Sequence, residues 1–218
     1  MIASASWRSI RAAGKAVVAK DLDIRVEGLD HLPDRGPVIL AARHYHHLYD
    51  GCAVLATVPR EVRVLVGLDW IERPIAMRGM QTACRAAGWP VVYRTNGETT
   101  RAEWLSNLRN ALRESQAILN EGKVLLVFPE GYPTIDPHGS PKAGPDDFLP
   151  FEPGLARIAR NAWNQGIPAV IVPLGFRYVE SDRWQVTLRF GAPIGIEAGE
   201  KAEDLTAIVQ RQVIALSR

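Results

Sequence analysis

Pro37-Val-Ile-Leu-Ala-Ala42 is an apolar, β-branched run short enough to be a buried strand, and it limits what the chain around it can become. Strand-sized apolar segments return at residues 124–128 and 169–172, and residues 22–26, 62–66, 90–94 and 184–190 read as further strands. In the last of these, Val186, Leu188 and Phe190 alternate and are expected to point inward. Helical patterns separate them. Residues 75–87 end at Gly88, a natural C-cap, and residues 154–164 and 203–217 are expected to be helical. Thr100-x-x-Glu103 is a capping box whose hydroxyl and carboxylate satisfy free backbone donors, opening a helix that carries Trp104, Leu105, Leu108, Leu112 and Leu119 and closes at Gly122. Strands and helices alternate along 218 residues, which predicts one layered α/β domain with a largely parallel central sheet flanked by helices.

At the end of the first buried run stands Ala42-Arg43-His44-Tyr45-His46-His47-Leu48-Tyr49-Asp50-Gly51, followed by the apolar helical segment Cys52-Ala-Val-Leu-Ala-Thr57. Three imidazoles and a carboxylate thus occupy a strand-to-helix corner, where α/β proteins place their chemistry. Histidine exchanges a proton near neutral pH, and a nearby carboxylate can orient its ring and stabilise the imidazolium. In a parallel sheet, polar residues that follow other strands converge on the same edge: Arg94, the Glu130-Gly131 turn and the segment from Pro173 onward. Together they would supply a base, its orienting acid and a cation for a phosphate or carboxylate.

The net charge of +2 gives no reason to expect a nucleic-acid surface. Cys52 and Cys84 are the only cysteines, too few for a disulfide framework and in keeping with a reducing, cytosolic setting. No apolar run reaches the length of a membrane span. Residues 1–20 carry Arg8, Arg11, Lys15 and Lys20 and no acid, with Trp7, Ile10, Val17 and Val18 on another helical face. This is expected to be a basic amphipathic helix set apart from a domain of residues 21–218, either lying in a lipid interface or docked on its own domain. Residues 132–150, rich in Pro, Gly and Asp and without periodicity, predict a long functional loop.

Ordered blocks across residues 25–195 resemble the glycerolipid acyltransferases, the family of the 1-acylglycerol-3-phosphate acyltransferases. Val26-Glu-Gly-Leu-Asp-His-Leu-Pro33 and Gly36-Pro-Val-Ile-Leu40 are similar to the lead-in to that family's His-x4-Asp motif. Gly88-Trp-Pro-Val-Val-Tyr-Arg94 resembles its second block, Phe128-Pro-Glu-Gly131 its third and Ile167-Pro-Ala-Val-Ile-Val-Pro173 its fourth. Phe151-Glu-Pro-Gly-Leu-Ala156 and Phe190-Gly-Ala-Pro-Ile194 also look like family segments. Two departures stand out. Five residues, not four, separate His44 from Asp50, three separate His46 from Asp50, and Tyr45 stands where the four-residue spacing would need a histidine. Tyr132-Pro133-Thr134 replaces the family's Thr-Arg-Ser, which removes an arginine from the phosphate site.

The resemblance implies the family fold and direct transfer of an acyl group from acyl-CoA or acyl-carrier protein, as co-substrate, to a hydroxyl of a lysophospholipid such as lysophosphatidate. No metal, cofactor or covalent enzyme intermediate is implied, and neither cysteine sits at a nucleophile's position. Alignment of the preceding strand favours His44 as the base with Asp50 as its partner; His46, at i and i+4 with Asp50 if the helix has begun, is the rival, and His47 ranks third. Arg94, Glu130 and Gly131 would hold the acceptor's head group, with Arg43 or Lys142 as compensating cations. The expected setting is cytoplasmic, with a peripheral place on the inner face of the cell membrane if residues 1–20 meet lipid. Two other readings share these residues: a lipid-binding relative whose altered motifs have lost catalysis, and a metal-dependent hydrolase using His44, His46, His47 and Asp50, with His138 as a further ligand.

Overall fold

A computed structural model describes residues 5–68, 71, 73–93, 100–197 and 199–218. In chain order they form α1 (Ala5–Asp21), β1 (Leu22–Glu27), β2 (Val38–Ala42), α2 (Tyr49–Thr57), β3 (Val62–Val64), β4 (Val66–Gly67) and α3 (Pro74–Ala87). There follow β5 (Val91–Val92), α4 (Arg101–Asn120), β6 (Val124–Val127), α5 (Gly154–Asn164), β7 (Val170–Val179), β8 (Trp184–Phe190) and α6 (Ala202–Leu216). Six strands make one sheet in the order β1-β8-β7-β2-β6-β3. Its neighbours run parallel except for β7 and β8, which form the antiparallel pair.

The apolar run at residues 38–42 becomes the middle of this sheet because it can be buried on both faces. Val38, Leu40 and Ala42 join one core with Trp7, Val54, Leu126 and Phe176, under α1 and α2. Ile39 and Ala41 join the other, with Ile118, Leu125, Leu155, Ile171 and Val209, under α4, α5 and α6. Every residue of β2 is fully shielded from solvent, at 0% exposure. The sheet is thus a middle layer between two helical layers.

The helix starting at Thr100 has the expected capping box: Thr100 Oγ1 accepts the Glu103 N–H at 3.3 Å and Glu103 Oε2 accepts the Thr100 N–H at 3.0 Å. Gly88 ends α3 at φ 64°, which a glycine adopts without strain, and its N–H donates to the Arg85 and Cys84 carbonyls. Two strands differ from expectation. Residues 62–66 do not form one strand: the chain leaves β6 after Leu65, whose N–H still reaches the Leu126 carbonyl at 2.9 Å, and Val66 turns to pair with β5 in a separate two-stranded sheet. The strand expected to stop at Pro173 runs on to Val179. Pro173 is tolerated because its carbonyl, and so the side of its missing N–H, faces Gly191 at 2.8 Å, just past the end of β8.

α1 docks on the domain. Trp7 is 3% exposed in the core, and Gly14 lets the helix approach α2 so closely that a Cβ there would lie 3.3 Å from Leu55 Cβ. Arg8 and Lys15 stay exposed on the outer face. Among the described residues no helix is long and apolar enough to cross a membrane. At the far end of the chain, α6 closes on β7 at Gly175, where a Cβ would sit 2.6 Å from the Leu216 side chain and nearer still to its backbone. Gly175→Val is therefore expected to destabilise the domain by at least the roughly 1–3 kcal/mol typical of overpacking, read as a lower urea midpoint at unchanged m-value.

Candidate active site

β2 delivers the chain to the sheet edge at Ala42, and the next eight residues turn into α2. Asp50, in the first turn of α2, is 0% exposed and ties this turn together. Its Oδ2 accepts the Tyr45 N–H at 2.6 Å and the His46 N–H at 3.0 Å, and lies 3.0 Å from His44 Nδ1. Its Oδ1 accepts the Tyr178 hydroxyl at 2.6 Å. Three contacts thus converge on Oδ2 and one on Oδ1. An ionised carboxylate only accepts, so His44 carries its proton on Nδ1 and has Nε2 as the basic nitrogen.

The backbone of the corner is held from below. Glu130, in the Pro129-Glu130-Gly131 turn after β6, accepts the His44 N–H through Oε1 at 2.9 Å and the Leu149 N–H through Oε2 at 3.1 Å. Lys142, from the long loop, donates to Glu130 Oε2 at 2.7 Å and to the His44 carbonyl at 2.6 Å, with both side chains wholly buried. Burial pushes the Lys142 ammonium below its ordinary pKa, while Glu130 pulls it back up. The same loop pairs with the corner through Ile135, whose N–H donates to the Tyr45 carbonyl at 2.6 Å and whose carbonyl accepts the His47 N–H at 3.1 Å. The aperiodic segment is an ordered strap, fixed by backbone bonds that carry no sequence signature.

The three histidines have different surroundings. The His44 ring is partly exposed and stacks on Phe128, with centroids 4.3 Å apart. His46 is 8% exposed and its Nδ1 accepts the N–H groups of Leu48 and Tyr49, at 3.2 and 3.3 Å, at the start of α2. Burial first, then the neighbouring His47, lowers its pKa to about 4, so it stays neutral and keeps this acceptor role. Only its backbone N–H meets Asp50. His47 is exposed, with Nδ1 3.3 Å from the Ile135 carbonyl. Among the described residues no group of three His, Cys, Asp or Glu side chains is placed to hold a metal ion.

His44 and His47 stand on the wall of a cavity of about 490 Å³. Its deeper lining is apolar: Leu55, Val64, Trp89, Leu112, Leu155 and Ile158. Asp136, His138, Glu152 and Arg157 also line it, with Gly131. Cys52 lines it too, but burial, followed by the Asp50 charge, raises its thiol to about 11 and keeps it protonated.

Of the residues expected to touch the acceptor, Gly131 borders the cavity and Arg94 lies outside the described residues. Arg43 and Glu130 stand apart from the cavity lining. Arg43 is 2% exposed; its guanidinium donates to the carbonyls of Phe176 and Pro145 and lies over the rings of Tyr45 and Phe148. Glu130 has both oxygens bound within the protein. Neither side chain is among the cavity's lining residues, and nor is Lys142, because burying a charge beside its partner brought each under the corner instead. Tyr178 was not anticipated: its strand was expected to have ended, and it meets Asp50 across 128 residues of sequence.

The chain belongs to the Acyltransferase family, whose model matches residues 23–177. Among solved structures it is similar in fold to the 1-acyl-sn-glycerophosphate (LPA) acyltransferase PlsC from Thermotoga maritima, with a TM-score of 0.62 and 22% sequence identity over 96% of this chain and 77% of that one. No curated protein sequence matches it significantly.

The lowered pKa of His46 has a consequence for stability. The unfolded chain binds a proton there near the ordinary 6.5 and the folded chain near 4, so stability from this residue is full above pH 6.5 and is lost as pH falls toward 4. By 1.36 kcal/mol per pKa unit the loss amounts to up to about 3 kcal/mol. The difference in melting temperature between the native protein and His46→Gln should shrink over that interval.

Proposed function

We propose that the chain transfers an acyl group from an acyl-CoA or acyl-carrier-protein thioester to a free hydroxyl of a lysophospholipid, lysophosphatidate being the leading acceptor, in phospholipid biosynthesis. The observation that carries this reading is the His44–Asp50 contact of 3.0 Å at the wall of a largely apolar cavity. Asp50 fixes the ring; His44 Nε2 takes the proton of the acceptor hydroxyl; the oxygen attacks the thioester carbonyl; and as the tetrahedral intermediate collapses the C–S bond breaks and the leaving sulfur takes the proton back from His44. The acyl chain lies along Leu55, Val64, Leu112 and Ile158, and the head group lies toward Gly131, with Arg94 assigned to it by the family resemblance alone. His46 is the cap of α2 and not the base.

Turnover of labelled palmitoyl-CoA and palmitoyl-carrier protein against a panel of lysolipids tests this directly. His44→Ala should lose about 10²–10⁴-fold in kcat, the usual contribution of a general base, while His46→Gln should stay within a few-fold of the native rate at pH 7.5. Lysolipid binding without turnover by the native protein would instead support a lipid-binding role.

The outer face of α1, with Arg8 and Lys15 exposed, is the surface we assign to the membrane. Arg8→Glu with Lys15→Glu should abolish co-sedimentation with vesicles containing phosphatidylglycerol and leave turnover of detergent-dispersed lysolipid unchanged.

A further inference from the structure

The spacing between His44 and Asp50 is one residue longer than the family motif resembled, yet the two side chains meet at 3.0 Å. Something must hold the longer segment in register. Tyr45, its first residue, has its ring stacked on that of Tyr178 in β7, with centroids 4.4 Å apart and planes 7° from parallel. Tyr178 also packs edge-on against Trp184 of β8, at 5.9 Å. From this anchored ring the hydroxyl donates to Asp50 Oδ1 at 2.6 Å, opposite the oxygen that faces His44. Neither Tyr178 nor Asp50 is among the residues lining the cavity.

We propose that Tyr178 is a positioning residue for the His44–Asp50 pair: its ring clamps Tyr45 and its hydroxyl sets the orientation of the Asp50 carboxylate. This rests on the reading of His44 as the base and adds a residue that no motif marks. Without the hydroxyl, Oδ1 would be left buried and short of a donor, and the carboxylate could rotate toward whatever donor remained. Its charge would also be less shared, so it would hold the imidazolium more tightly. The titratable groups facing the Tyr178 hydroxyl are Asp50 and Cys52 from α2 and Tyr45 from the corner, with the Arg43 guanidinium over the far side of Tyr45. Burial keeps the phenol far above its ordinary pKa, so it remains a donor across the range in which a histidine base titrates.

Tyr178→Phe keeps the stack and removes only the hydroxyl. With palmitoyl-CoA and the best lysolipid of the panel, kcat should fall about tenfold, as expected for one hydrogen bond to a charged group. The KM for palmitoyl-CoA should stay within about twofold, and the acidic limb of the kcat/KM profile should move to higher pH. Because Tyr178 acts through Asp50, adding Tyr178→Phe to Asp50→Asn should cost nothing further. If Tyr178→Phe fails to fold, 3,5-difluorotyrosine at position 178 should move the same limb to lower pH, since a more acidic phenol donates more strongly. A rate within twofold of native with an unmoved pH profile would overturn the proposal, as would an equal loss in the native and Asp50→Asn backgrounds.

One measurement needs no turnover. The low-field proton resonance of the His44–Asp50 hydrogen bond, identified by its absence from His44→Gln, should shift in Tyr178→Phe. A native protein without transferase activity would remove the catalytic reading and leave this resonance to decide the positioning role; an unmoved resonance would reject it.

Discussion

The Asp50 carboxylate is the constraint on which the corner depends. A buried acid with no partners would be expensive, and its charge can be kept only where donors surround it. Here the donors come from three places: two from the backbone of the turn it terminates, one from the imidazole it orients and one from a strand far along the chain. The same bonds that make the burial tolerable also fix the backbone of residues 45 and 46. Glu130 does the equivalent for residue 44, and Lys142 neutralises it. Local chain geometry and side-chain chemistry are therefore inseparable at this site.

This arrangement explains how a motif with altered spacing can keep its geometry. The ring at position 45 is buried against Tyr178 and does not face solvent. Arg43 covers the opposite side of that ring. The chain has an aromatic ring at position 45, and His44 and Asp50 still meet at 3.0 Å.

Much of this was legible in the sequence because it is local. The buried run at residues 38–42, the capping box at Thr100 and the glycine stop at Gly88 are all decided within a few residues. The nearness of His44 to Asp50 follows from their place at one corner, whereas which imidazole meets the acid depends on the direction of two rings. What could not be read is long-range. Lys142 reaches His44 across 98 residues and Tyr178 reaches Asp50 across 128, with no pattern to announce either. A single proline disguised the length of β7. The burial of Arg43 was not legible either, since a charged residue at a strand end reads as a surface cation, whereas this one lies over the rings of Tyr45 and Phe148.

The departure of the chain from the main sheet after Leu65 has an effect beyond topology. Gly67, Val92 and Leu108 line the cavity, yet none belongs to either hydrophobic core. Three residues of the cavity wall thus stand outside both cores, although Val66 and Trp89 beside them pack against one. Substitution at Gly67, Val92 or Leu108 would therefore reshape the cavity without removing a side chain from either core.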